Sequence, residues 1–142
     1  MIIREAKIEE LDKVMAFYEM MCRELASKDF LKKEYKGGFP PLEMVTEAIK
    51  HKELFIGEEN GAIIAACIMN HESDPAYDAV PWRVEADKKH VAILHALRVA
   101  PKYGGKGYAG RLVEHAAETA CAKGLKAIRL DCLVENTIAH KL

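Results

Sequence analysis

The sequence predicts a single α/β (α+β) domain: a mixed, mainly antiparallel central sheet flanked by helices, with one parallel strand pair. Three observations predict it. Residues 54–56 and 62–69 are apolar runs joined through Glu58-Glu59-Asn60-Gly61, and Asn-Gly supplies the positive φ angles of a tight antiparallel hairpin. Residues 91–99 form an Ile-, Leu- and Val-rich strand that passes through a glycine-rich turn into an amphipathic helix. Residues 127–134 follow as another strand, and a strand, helix, strand order makes the two strands parallel. At 142 residues the chain can hide about 70% of its unfolded surface around one core.

The elements follow in order. Ile2-Ile3, with charged residues after it, reads as a short opening strand. Ile8, Leu11, Val14, Met15, Tyr18, Met21 and Leu25 recur at helical spacing, so a first helix turns an apolar stripe to the core. Gly37-Gly38 and Pro40-Pro41 break the chain, and Pro41 suits the first position of a second helix that runs to about Lys50. After the hairpin, residues 71–90 carry Pro75, Pro81 and many charges; a polar connection of that length is either functional or disordered. Pro101 ends the long strand. Leu112, Val113, Ala116, Ala117, Ala120 and Cys121 line one face of the third helix, which closes at Gly124, and residues 136–142 start a further helix. Residues 1–142 contain no internal repeat or linker.

Composition excludes several classes of function. Lys+Arg 21 against Asp+Glu 22 leaves a net charge of -1, which gives no electrostatic basis for nucleic acid or an acidic membrane as the main partner. The opening MIIREAKIEELDK is charged from Arg4, has no apolar signal-peptide region, and no later run approaches membrane length, so a cytoplasmic protein is expected. Cys22, Cys67, Cys121 and Cys132 form no C-x-x-C pair and are expected to be reduced, mostly buried thiols that pack as small hydrophobes. The six histidines include no H-E-x-x-H, and no metal is expected.

The chemistry concentrates in YGGKGYAGRL, residues 103–112. Gly105, Gly107 and Gly110 stand in the spacing G-x-G-x-x-G of nicotinamide and flavin sites, and Asp131 lies about 20 residues further on, where a ribose-binding acid falls in such folds. Yet a Rossmann strand feeds almost directly into its first glycine, whereas residues 100–104 intervene here, and the preceding strands form a hairpin instead of crossover units. Only eleven residues follow Asp131, too few for the rest of a doubly wound sheet, and no Gly-Lys-Ser/Thr marks a P-loop. What remains is a turn that opens a helix. It exposes unpaired backbone N–H groups at the positive end of the helix dipole, suited to a pyrophosphate, with Lys106 as a nearby cation or simply a solvated one.

The run LHALRVAPKYGGKGYAGRLVEHAAETACAKGLKAIRLDCLVEN resembles the acetyl-CoA-binding core of the GNAT N-acetyltransferase superfamily: a strand ending Leu-x-Val, then x-Pro, then R/Q-x-x-G-x-G/A opening a helix. The resemblance implies a parallel strand pair splayed around the CoA site. It implies that Leu97, Arg98 and Val99 flank the backbone that pairs with the pantetheine arm. Likewise it implies that Gly105, Lys106, Gly107, Tyr108, Ala109 and Gly110 offer amides to the pyrophosphate, and that Asn136 contacts the pantetheine region. Asn136 also suits a helix N-cap, and both roles are compatible. Gly104, also expected among the cofactor-binding residues, stands where the family has Arg or Gln, a departure that removes a side chain but no amide.

The implied chemistry is direct attack of a primary amine on the acetyl thioester of acetyl-CoA, with no covalent enzyme intermediate. It needs a base for the ammonium proton and a backbone N–H near Val99 for the oxyanion. Asp131, His95 and Glu85 are alternative bases. The alternative for Asp131 is a surface carboxylate, for His95 a buried hydrogen-bonded strand residue, for Glu85 a solvated loop acid. The family's C-terminal tyrosine, an acid for the thiolate, and its last two strands would follow Leu142; on that basis the domain 1–142 is expected to be truncated at its C-terminal end. The open sheet edge would then pair with a second copy as a homodimer. A small-molecule amine is the expected acceptor. A protein or peptide N-acetyltransferase, a non-catalytic CoA-binding module and an NAD-linked oxidoreductase are the alternatives.

Overall fold

Two helices on one face and one on the other cover a five-stranded sheet in the computed structural model, which describes residues 1–27 and 38–142. Gly37, placed above at a break in the chain, lies outside the described residues. The strands β1 (Ile2–Glu5), β2 (Leu54–Glu59), β3 (Ala62–Asn70), β4 (Val91–Val99) and β5 (Ala127–Arg129) lie in chain order across the sheet. All neighbours are antiparallel except β4 and β5, whose register runs Val91↔Ala127 to Ile93↔Arg129. The β2–β3 turn has Asn60 at φ 52 and Gly61 at φ 76, as its two residues demand.

Helix α1 (Leu11–Ala26) buries Val14, Phe17, Tyr18 and Met21, and α2 (Leu42–Lys50), with Pro41 just before it, buries Val45, Ala48 and Ile49. Both pack on Leu54, Ile56, Ala66 and Ile68 of the sheet. Across the sheet, Leu112, Ala116 and Ala120 of α3 (Tyr108–Ala122) pack on Phe55, Ala65, Cys67 and Leu94. The period-2 alternation of β2 and β3 thus feeds two cores from one sheet.

A β-bulge interrupts β4. Ile68 pairs with His95 and Ala66 with Arg98, so three steps on β4 oppose two on β3, and Ala96 takes the left-handed φ of 50. An alanine there is strained. The fully buried Tyr18 holds it, its hydroxyl donating to Ala96 O at 3.1 Å. Tyr18→Phe leaves that carbonyl without its partner and is expected to cost about 1–3 kcal/mol of unfolding free energy, read from urea denaturation midpoints against wild type.

The structure corrects four expectations. The last strand spans Ala127–Arg129, not residues 127–134, because Leu130 and Val134 are exposed (43% and 81%) with no sheet surface to cover them. Residues 136–142 form no α-helix, only a short 3-10 turn at Ala139–Lys141. On α3, Ala117 and Cys121 face solvent, since the sheet covers the arc of Leu112, Ala116 and Ala120 with Val113 and His115 at its margins. Of the four cysteines only Cys67 is buried, and burial pushes its thiol up to about 12; Cys22 is half-buried, Cys121 and Cys132 exposed.

Candidate functional site

The turn between β4 and α3 is built from local constraints. Pro101–Tyr103 makes a 3-10 turn in which Tyr103 N–H donates to Ala100 O at 2.8 Å and Gly104 N–H to Pro101 O at 3.0 Å. Gly104 therefore keeps its amide inside the turn, which corrects the expectation that it offers one to the cofactor. Gly107, at φ 76, is the residue before α3, a conformation that glycine adopts without a Cβ penalty. The first helical bond is Arg111 N–H to Gly107 O at 3.1 Å, which leaves the amides of residues 105–110 without a protein acceptor among the described residues.

A Cβ built on Gly105, Gly107 or Gly110 meets nothing within 4 Å. Among the described residues no atom fills the space that those Cβ atoms would take. For Gly110, inside the first turn of α3, the fold itself gives no reason for glycine. Tyr108 anchors the turn to the hairpin: its hydroxyl donates to Glu59 Oε1 at 2.8 Å, a bond that raises its pKa. Lys106 lies over the Tyr103 ring, Nζ 5.1 Å from the centroid. Donors, dipole and a lysine together suit the turn to an anion.

The same turn continues into an open strand edge. Strand β5 pairs with β4 only as far as Ile93, and among the described residues no strand covers that edge from Leu94 to Val99. Ala100 N–H donates to Ile64 O on the β3 side at 2.8 Å. Strand alternation therefore turns the backbone groups of Leu97 and Val99 to the open edge. Arg98 Nη1 already donates to Leu97 O at 2.8 Å.

Where the edge opens, a polar cluster forms from three parts of the chain. His95 Nε2 lies 2.8 Å from Asn70 Oδ1, which also accepts the Glu72 backbone N–H at 2.9 Å. An oxygen that accepts cannot donate, so the hydrogen-bond network assigns the proton to Nε2 and leaves Nδ1 with a lone pair. Burial lowers the pKa of His95, opposed by the Glu72 carbonyl and the charges of Asp131 and Glu72. Asp131, just beyond β5, accepts the Tyr77 hydroxyl at 2.5 Å. Tyr77 stays protonated: burial and then the Asp131 bond raise its pKa.

The 71–90 connection is thereby tied to β5. Trp82 Nε1 donates to Tyr77 O at 2.9 Å, Arg129 stacks on the Trp82 ring at 4.7 Å, and Arg129 Nη2 donates to Val84 O at 3.0 Å. Beside the cluster, between α2 and the end of β3, opens a cavity of about 530 Å³ lined by Glu47, Glu53, Asn70, His71 and Glu72. Glu85 is exposed and makes none of these contacts. Asn136 Oδ1 accepts Ala139 N–H at 3.2 Å, a cap-like bond that closes the C-terminal turn. Among the described residues no group of three or more His, Cys, Asp or Glu side chains is placed to hold a metal, and no helix is long and apolar enough to cross a membrane.

Asn70 and Tyr77 are the members that the sequence did not single out as site residues. Each acts on a residue 25 or 54 positions away, and no local pattern marks such a partner.

A strand with an open edge, a bulge beside it and an amide turn at its end form one continuous groove whose geometry suits an extended, phosphate-bearing ligand along β4. The acetyltransferase (GNAT) family model matches residues 17–142, and the chain belongs to that family. Members of the family use acetyl-CoA. The fold is similar to that of the PaiA N-acetyltransferase from Thermoplasma acidophilum in complex with coenzyme A: TM-score 0.75, 16% identity, over 99% of this chain and 84% of that one. It is similar as well to an N-acetyltransferase from Staphylococcus aureus Mu50, with TM-score 0.69 and 19% identity over 99% of this chain and 78% of that one. A third likeness is to AAC(6')-Iy in complex with the bisubstrate analog CoA-S-monomethyl-acetylneamine, with TM-score 0.65 and 19% identity over 99% of this chain and 84% of that one. A search of curated protein sequences gives no match.

Proposed function

We propose that this chain transfers the acetyl group of acetyl-CoA to the primary amine of a small acceptor by direct attack. The observation that carries the proposal is the continuity of one strand edge: free amides at residues 105–110, exposed backbone at Leu97 and Val99, and an imidazole at His95 where the edge opens. The residues fit the cofactor, since the glycines leave room for a pyrophosphate against the backbone.

In this proposal Gly105, Lys106, Gly107, Tyr108, Ala109 and Gly110 hold the pyrophosphate, while Gly104 shapes the turn with its amide already engaged. Leu97 and Val99 hold the pantetheine arm through the backbone groups that face the open edge, Arg98 between them keeps its backbone on Ala66 of β3, the Val99 N–H polarises the acetyl carbonyl, and Asn136 contacts the arm. Acetyl-CoA supplies the electrophilic thioester: the amine nitrogen bonds to the acetyl carbon, the C–S bond breaks, and the thiolate takes a proton to leave as CoA.

His95 is the base. Burial keeps it neutral near pH 7, and its Nδ1 lone pair takes the proton the attacking nitrogen loses. Asp131, held by Tyr77, stabilises the imidazolium that results. Such chemistry belongs where acetyl-CoA is abundant, in the cytoplasm. Thiol release from acetyl-CoA, followed across a panel of small amines and peptide N-termini, tests the proposal. Amine-dependent release with a small amine supports it; release with peptides alone moves the acceptor class; CoA binding without release under any amine contradicts it.

A further inference from the structure

The side chain of Arg98, on the α1 side of β4, has no part in the chemistry above. Ala96 and Ala100 pack into the core under α1 and α2, and Leu97 and Val99 into the core under α3. Strand alternation therefore places the Arg98 side chain on the α1 face, and across the bulge His95 shares that face. The bond from Nη1 to Leu97 O holds the guanidinium at the open edge. Tyr18 and Cys22 of α1 face it, and no carboxylate lies within 4.0 Å of it among the described residues. Burial lowers its pKa, yet an arginine remains charged at neutral pH.

A half-buried guanidinium that spends one N–H on its neighbour's carbonyl presents the rest of its fork, whose geometry matches a carboxylate. The opposite polarity lies at the other end of the same face. There the charges of Glu72 and Asp131 act on His95, where the incoming amine carries its positive charge. Three residues of strand separate the two ends, about 10 Å at most between the backbones and less across a bulge. Arginine and amine-binding end are thus within reach of one small molecule.

We propose that the acceptor is a small amino acid-type zwitterion, its amine at His95 and its carboxylate on Arg98, an inference that rests on the acetyl transfer proposed above. Arg98 is then the residue that sets acceptor specificity. The test uses this chain with acetyl-CoA or CoA bound and a series of amino acids, each paired with its own carboxamide, with rates expressed per neutral amine. The acid member of the best pair is expected to show a kcat/KM at least about tenfold above its amide, mainly through KM. In Arg98→Gln that ratio falls to within about two-fold of one, and Arg98→Lys retains part of it. A general loss of folding or of cofactor contact lowers both members together and leaves the ratio unchanged.

Calorimetry of the same pairs on the CoA-loaded chain separates the two proposals. Acid members that bind through Arg98 without turnover support the specificity role and overturn the acetyl transfer. Turnover with no preference for the acid, or a preference that survives Arg98→Gln, overturns the specificity role and keeps the transfer. Binding of neither member overturns the zwitterion.

Discussion

His95→Gln is expected to lower kcat by about 10²- to 10⁴-fold at pH 7, the usual worth of a positioned general base, while the affinity for CoA changes by less than about two-fold. Glutamine keeps a hydrogen-bonding side chain of similar reach for Asn70 but cannot take a proton. The pH profile gives the sharper signature. A histidine is a base only when neutral, and burial shifts its pKa below the ordinary 6.5, against the opposing Glu72 carbonyl and the charges of Glu72 and Asp131. Activity should therefore hold as the pH falls to 6.5 and drop below it, and His95→Gln should abolish that acid limb. Asp131→Asn removes one of the charges that raise the pKa, so the limb should move further to acid. A limb unchanged in His95→Gln would assign it to another group.

Gly110→Ala should separate the fold from the ligand. The position is helical, and an added Cβ meets no protein atom within 4 Å. Alanine is the better helix former, so thermal or chemical denaturation should show a gain of about 0.5–1 kcal/mol. In the proposed binding mode the same methyl group stands where a phosphate would approach the first-turn amides, and CoA affinity should fall at least about tenfold, equivalent to about 1.4 kcal/mol. A variant more stable and yet weaker for CoA is an outcome that damage to the fold cannot produce. Unchanged affinity would remove Gly110 from the cradle.

Much of the fold was legible because its signals are local. Asn60-Gly61 codes its own turn, Pro41 and Gly124 bound their helices, and the β4 turn opens a helix wherever it is placed. The departures come from contacts between distant residues. Residues 127–134 have the composition of a strand, yet after Arg129 the chain leaves β4, and Leu130 has no partner to pair with. Phe17, absent from the stripe 8-11-14-15-18-21-25, is buried because α1 is covered over a broader arc, with Phe17 edge-on to Tyr18 at 5.5 Å.

The candidate site divides along the same line. The amide turn could be placed from residues 103–112 alone, since its geometry depends on its own glycines. The bulge at Ala96 depends on Tyr18, 78 residues away, and the setting of His95 depends on Asn70 and Asp131. Three bases therefore remained open in the sequence. Only the structure distinguishes a histidine bonded within the strand edge from an exposed Glu85.

The central claim is that the G-x-G-x-x-G of residues 105–110 serves CoA at the end of an open strand, not a nicotinamide or flavin dinucleotide. A calorimetric titration of this chain with CoA and, separately, with NAD tests it most directly. The account predicts saturable binding of CoA with one site per chain, weakened when the phosphates are removed and pantetheine is titrated instead, and no saturable binding of NAD. Saturable NAD binding with none for CoA would contradict it.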